Sequence, residues 1–228
     1  MMKKIILPAF TLLFLSLVSW KIYSPSATGM IFNMKMTSSA GTNGSIKLYY
    51  DTLGTRIEIT ASMGAYSFTK TSLVKKSEPD MVYQIDDRTK TYSTVDVSNA
   101  ETDKTDEPAT ATVVGTDSIN GYKCKHVNVV QGVKKWELWT TTSIWQYERF
   151  SAVMNRQRYV GNHGVHEALK LVGAEGFPVK TILIDEKGTT TTTELVSLEH
   201  QALSPSLFTI PADYKVGAAP NGPPGRPH

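Results

Sequence analysis

The chain carries a single cysteine, Cys124, among 228 residues, and that scarcity excludes two architectures. No intramolecular disulfide framework can staple the fold, and no cluster of thiolates can hold a structural zinc ion. Charge of one sign is scarce too. The formal net charge is +3, and Lys3, Lys4 and Lys21 precede Gly29 with no acidic residue among them, so the remainder is neutral. A neutral chain without gathered Lys and Arg lacks the electrostatic footprint of a nucleic-acid partner. Gly-x-Ser-x-Gly, His-Glu-x-x-His, the phosphate loop and the dinucleotide fingerprint are all missing, so no local motif assigns a catalytic residue or calls for a cofactor.

What is present first is one apolar run, Ile5 to Trp20, preceded by Lys3 and Lys4. At 16 residues it is short of the roughly 20 that a spanning helix needs and matches the core of a secretory signal. Two small-x-small triplets follow, Ser24-Pro25-Ser26 and Ala27-Thr28-Gly29, so residues 1–28 read as a signal peptide and the protein as exported, periplasmic or extracellular. The bulky Trp20 and Tyr23 leave a second reading, an uncleaved helix that tethers it to the membrane. It reads as no lipoprotein, because no Cys stands directly after the run. Residues 29–216 suit one β-rich domain around one core. The tail from 217 to 228 is too rich in Pro and Gly to fold.

From Met30 the chain alternates Tyr-, Val-, Ile- and Thr-rich stretches with turn residues, the pattern of an antiparallel sheet. Strands are expected near Met30 to Ser38, Ser45 to Tyr50, Thr55 to Ala61, Thr69 to Lys76, Asp80 to Ile85 and Thr91 to Val97. Gly41 to Gly44, Asp51 to Gly54 and Asp86 to Thr89 supply the turns. Ser98 to Pro108 is polar and acidic, a surface loop. Gly121 to Thr141 reads as a hairpin. With Gln131-Gly132 as its turn, Cys124 opposes Trp139, His126 opposes Glu137 and Val127 opposes Trp136, which groups Tyr122, Cys124 and Trp139 on one face. A last hairpin runs from Pro178 to Asp185 and returns through Thr189 to Leu198. Ser206 to Pro211 forms a short apolar plug. Two short helices are expected between Ser143 and Gly176, from Phe150, Val153 and Met154 and from Val165, Leu169 and Val172, separated by a Gly161 to Gly164 linker.

The side chains able to do chemistry each have a plainer role. His163 and His166 beside Glu167 could share a helix face, but no third ligand is fixed by spacing, so no metal site is assigned. Cys124 and His126 lie on one side of a strand, the least geometry for a thiolate and its base; next to Trp139, Cys124 reads better as a small core hydrophobe. Aromatics are the richer signal. Tyr83, Tyr92, Trp136, Trp139 and Phe150 are the candidate ligand-binding residues, able to line an apolar cavity or to divide between core and surface.

Four segments in order, Thr116 to Cys124, Glu137 to Thr140, Glu175 to Lys180 and Leu207 to Lys215, resemble a family of exported bacterial domains of unknown function. That family is similar in outline to the periplasmic lipoprotein carriers, and the resemblance covers roughly Met30 to Val216. It implies a strongly curved antiparallel sheet or incomplete β-barrel with two short helices on its concave side. It implies no catalytic residues. In it Gly121, Trp139, Gly176 and Pro178 read as scaffold, and Phe208 and Ile210 as the closing plug. The function this suggests is a non-enzymatic envelope module holding a lipid or acyl chain between sheet and helices. A structural or protein-interaction domain of the envelope without a cavity is the alternative, and a metal-dependent hydrolase using His163 and His166 the third.

Overall fold

The computed structural model describes residues 29–98, 107–144 and 163–217. They form one twelve-stranded sheet. The strands are β1 (Gly29–Ser38), β2 (Thr42–Asp51), β3 (Gly54–Met63), β4 (Tyr66–Lys75), β5 (Glu78–Asp86), β6 (Thr91–Asp96), β7 (Thr110–Ile119), β8 (Tyr122–Gln131), β9 (Lys134–Thr141), β10 (Phe177–Ile184), β11 (Thr190–Gln201) and β12 (Lys215–Val216). One helix, α1 (His163–Leu171), and a 3-10 turn at Pro205–Phe208 complete the described elements. Across the sheet the order is β12, β6, β5, β4, β3, β2, β1, β11, β10, β9, β8, β7. All neighbours are antiparallel except β12 with β6, which run parallel. The sheet stays open, with β12 and β7 at its edges, and is not closed into a barrel.

Most strand expectations hold to within a few residues, and three differ. Thr42, Asn43 and Gly44 belong to β2, and the turn is made earlier, where the Gly41 amide donates to the Ser38 carbonyl at 3.0 Å. β7 has no counterpart in the expected strands. It is joined to β8 by Asn120-Gly121, both at positive φ (51° and 82°), the two-residue turn whose twist matches paired strands. Third, the β8–β9 turn is Gly132-Val133, so His126 opposes Trp139, Asn128 opposes Glu137 and Val127 opposes Leu138. Moving the turn by one residue moves each partner by two, which preserves every face. Cys124 and Trp139 therefore share one apolar cluster, with Tyr122 packed against it, although Cys124 does not face Trp139 directly.

Of the two expected helices, only the second lies within the described residues. It begins at His163, so His163 opens a helix instead of sitting in a linker. Val165, Ala168 and Leu169 lie buried on Val127, Val129, Trp136 and Leu138. Gly173, at φ 61°, ends the helix: its amide donates to Lys170 and that of Ala174 to Leu169, the two bonds of a Schellman stop. Thr140 Oγ1 then donates to the Ala174 carbonyl at 2.8 Å, which fastens the helix exit to β9.

Register assigns the faces. One row of directly opposed residues runs Phe68, Ala61, Gly44, Met36, Thr193, Thr181, Leu138, Val127, Val113. Its far end lies beneath α1. Leu73 and Tyr83 oppose each other one residue out of phase with Phe68, and successive residues of a strand point to opposite faces. The C-terminal segment covers that second face, where Phe208 is buried with Ile31, Tyr49, Leu73, Tyr83 and Ile85. A third cluster joins Met30, Phe32, Leu48 and Leu195 to Cys124, Trp139 and Phe177. Phe32 and Phe177 stack with centroids 4.8 Å apart, although β11 separates their strands. The β10–β11 ladder starts only at Lys180, while Phe177 and Pro178 stand opposite Thr141 and Thr140 of β9, and beyond the end of that ladder Phe177 meets Phe32.

Candidate functional site

A cleft of about 690 Å³ opens where the C-terminal segment crosses β5 and β6. Tyr83, Tyr92, Phe208, Ile210 and Tyr214 give it aromatic and aliphatic walls, Pro205 and Pro211 line the segment's side, and Leu53 reaches in from the β2–β3 turn. Lys75, Ser77 and Glu78 supply the polar part of its lining. The sequence explains how each wall is placed. Tyr83 and Tyr92 stand on neighbouring strands, which sets their rings 6.0 Å apart and tilted by 48°, within the range of favourable aromatic pairs. Pro205 begins the 3-10 turn, with Ser204 as its N-cap accepting from the Ser206 amide. Thr209 and Pro211 then carry the chain on to β12.

The polar groups of Lys75 and Glu78 are bound to one another and to Tyr83. The Tyr83 hydroxyl donates to Glu78, and Lys75 Nζ lies 4.2 Å from the Tyr83 ring centroid and 3.6 Å from the Glu78 carboxylate. The tyrosine's hydrogen bond, aided by the Lys75 charge, holds the Glu78 carboxyl below its ordinary value, and the same bond pushes the Tyr83 phenol up. Two polar ties fasten the segment on its outer side. Lys90 Nζ donates to Asp213 at 2.8 Å, and the Tyr214 hydroxyl donates to Asp87 at 2.7 Å. That bond to a carboxylate pushes the Tyr214 phenol up to about 12. Parallel pairing of Lys215 and Val216 with Thr91 and Tyr92 closes the end.

The five aromatic candidates are not brought together. Tyr83 and Tyr92 line the cleft. Trp136 lies under α1. Trp139 belongs to the Phe32 and Phe177 cluster, is 7% exposed, and stacks on His126 at 4.3 Å with a 9° interplanar angle. Phe150 lies outside the described residues, as do Val153 and Met154. Sequence reasoning placed Phe208 and Ile210 in a plug but missed Lys75, Glu78 and Tyr214 as parts of a site. Tyr214 stands in the Leu207 to Lys215 motif, and the local hint for Lys75 and Glu78 was their position at the Lys76-Ser77 turn.

Cys124 is buried, and its Sγ donates to the Tyr122 carbonyl at 3.3 Å. Burial pushes its thiol up, the opposite of what a nucleophilic thiolate needs. His166 Nε2 lies 3.8 Å from Glu175. Among the described residues no group of three His, Cys, Asp or Glu side chains converges as a metal ion requires. No described helix is long and apolar enough to cross a membrane.

The chain belongs to the family described as Domain of unknown function (DUF4412), whose profile matches residues 28–214. The four motif segments fall within that span, Lys215 excepted. No curated protein shows a significant match. Among solved structures, an uncharacterised conserved protein from Thermus thermophilus aligns with a TM-score of 0.51 at 12% identity, over 84% of this chain and 90% of that one. The MucA/MucB complex of Pseudomonas aeruginosa aligns at 0.45 and 10% identity, over 84% of this chain and 58% of that one. A LolA superfamily protein from Nitrosomonas europaea gives 0.35 and 10%, with 80% and 90% covered. The Thermus likeness speaks for a shared fold and for nothing beyond it.

Proposed function

We propose that this protein is a non-enzymatic binding module of the cell envelope that takes an amphiphile with an acyl chain into the cleft beside Tyr83 and Tyr92. The observation that carries the reading is the cleft's mixed lining, with the apolar Tyr92, Phe208 and Ile210 beside the charged Lys75 and Glu78. Its volume of about 690 Å³ lies within the roughly 300–1,000 Å³ of small-molecule sites. Its polar groups, Lys75, Glu78 and the Tyr83 hydroxyl, are tied to one another, an arrangement suited to holding a polar head. A ligand's head would meet Lys75, Ser77 and Glu78, and its chain would lie along Tyr92, Phe208 and Ile210. The cleft is on the opposite face of the sheet from α1, so the ligand sits between sheet and C-terminal segment, not between sheet and helices.

Each methylene withdrawn from water contributes about 0.8 kcal/mol, and association costs on the order of 4–15 kcal/mol. Roughly ten or more methylenes are thus needed for useful affinity. A series of fatty acids displacing a fluorescent acyl probe should gain about fourfold in affinity per added methylene until the cleft is full. Ile210→Trp, which fills the interior, should abolish probe binding. A flat chain-length series, or a folded Ile210→Trp protein that binds as well as the parent, refutes the reading. Mass spectrometry of solvent extracts of protein purified from its own host identifies the natural ligand.

A further inference from the structure

The end of the β3–β4 hairpin is bare: residues 62–70 are all exposed. The ladder opposes Met63 to Tyr66, Ser62 to Ser67, Ala61 to Phe68 and Thr60 to Thr69. Opposed residues share a face and successive ones alternate. One face of this ribbon therefore presents Met63, Tyr66 and Phe68, and the other presents only hydroxyls. The three apolar side chains are 55%, 75% and 52% exposed. This is the strand counterpart of an amphipathic helix, and it is not isolated. The β1–β2 hairpin end lies against it, with Thr42 opposite Met63. No charged residue occurs between Lys35 and Lys47 or between Glu58 and Lys70.

Cations flank this uncharged double tip. Lys70 and Lys35 are both exposed. Glu58, the nearest acid along the ribbon, is held by Arg56 at 2.7 Å, and Glu194 stands opposite Lys35 on β11. We propose that the tip docks on a lipid surface with anionic headgroups, seating Met63, Tyr66 and Phe68 at the boundary between headgroups and acyl chains. Backbone geometry limits the depth. β5 pairs with β4 only from Thr71 onward, so among the described strands the outer backbone groups of residues 66–70 have no partner. Hydrocarbon cannot satisfy them, whereas headgroups and interfacial water can. Tyrosine suits that level because its ring is apolar and its hydroxyl is not. Lys70 lies one row below Phe68 on the same face and meets the phosphates. The proposal uses neither the cleft nor its ligand.

The test is local, so that apolar segments elsewhere in the full chain do not obscure it. Ala65→Cys is labelled with an environment-sensitive fluorophore, the buried Cys124 being shielded from the reagent. The labelled protein is mixed with phosphatidylcholine vesicles with and without phosphatidylglycerol. The expected result is a blue shift with quenching by lipids spin-labelled near the headgroup, stronger on the anionic vesicles. Met63→Ser, Tyr66→Ser and Phe68→Ser combined should weaken this signal by about tenfold or more without shifting thermal unfolding. Tyr66→Ser alone gives the same direction should the triple variant fold poorly. Lys70→Glu should reduce the preference for anionic lipid, and Ile210→Trp should leave the signal intact. A fluorophore that stays in water on both vesicles overturns the proposal. So does a tip-dependent dimer or strand-paired partner without a vesicle signal, which would make the tip a protein contact.

Discussion

Replacing Phe208 with alanine probes whether the C-terminal segment is part of the core or an accessory laid over it. Phe208 is 4% exposed and packs among Ile31, Tyr49, Leu73, Tyr83 and Ile85. Deleting a buried Phe ring typically costs about 3–5 kcal/mol, the lost transfer energy plus the void left behind. The lower figure applies here. Phe208 also forms a wall of the cleft, so water and neighbouring side chains can enter the space and relieve part of the void. A loss of about 3 kcal/mol in a domain of this size lowers the melting temperature by about 6–12 °C. Urea unfolding followed by circular dichroism should show the midpoint fall with an unchanged slope, because the same surface is exposed on unfolding. Phe208→Leu, which keeps most of the volume, should cost less than about 1.5 kcal/mol. A loss below about 1 kcal/mol for the alanine variant, with the slope unchanged, would refute the packing argument. It would mean that the ring contributes little to holding β1, β2, β4 and β5 together.

The ties around the segment give pH predictions of definite sign. Tyr214 has a phenol raised to about 12 against an ordinary value of 10, so its bond to Asp87 contributes fully below pH 10 and is lost as pH rises through about 12; Tyr214→Phe should remove that part of the alkaline transition in a thermal-melt series. Glu78 has a lowered carboxyl, so its contribution is present above 4.5 and is lost as pH falls through the lower, folded-state value; Tyr83→Phe should flatten the acid limb. At Gly176 an added Cβ would sit 2.8 Å from both the backbone N and O of Thr141, and Gly176→Ala should destabilise by about 1–3 kcal/mol in urea unfolding, whereas Gly188→Ser, in open space but at φ 74°, should cost only its left-handed strain.

Strand periodicity made most of the sheet legible, because Phe32, Met34 and Met36 alternate with Asn33, Lys35 and Thr37, and Ile57, Ile59 and Ala61 alternate with Glu58, Thr60 and Ser62, at the period of two. β7 escaped for a physical reason. It is an edge strand with mostly exposed side chains, so Thr110 to Ile119 carries little apolar alternation, and its bulge near Val114 shifts the phase. The β8–β9 turn could have been placed correctly. Gly132 has φ 56°, and a two-residue turn with glycine at its first central position is a standard hairpin solution. Gln131 in that role would have needed a strained backbone. The cleft was far less accessible. Leu53, Tyr83 and Tyr214 converge across more than a hundred residues, and no local spacing announces which strands a plug will cross. The motif at Leu207 to Lys215 marked an apolar segment, and only the register of β5 against β6 decided that Tyr83 and Tyr92 would receive it.

An open sheet has two faces to cover and two edges to protect, and the described elements share the work unevenly. α1 covers one face at the β7–β9 end. The 3-10 segment covers the other at the β4–β6 end, and β12 guards the β6 edge with two residues. Such short pairing protects Thr91 and Tyr92 without adding a core, and this is why Tyr214 and Asp213 need their polar ties to Asp87 and Lys90. The face bearing Phe68, Ala61 and Gly44 is covered at its α1 end, and at its hairpin end Met63, Tyr66 and Phe68 are exposed. A protein that leaves Met63, Tyr66 and Phe68 together in water forgoes burial that would otherwise stabilise it. On one sheet, then, apolar surface serves in two ways. Where a second layer bridges the strands it becomes core with a cleft at its margin, and where none does it becomes a surface that a lipid boundary can complete.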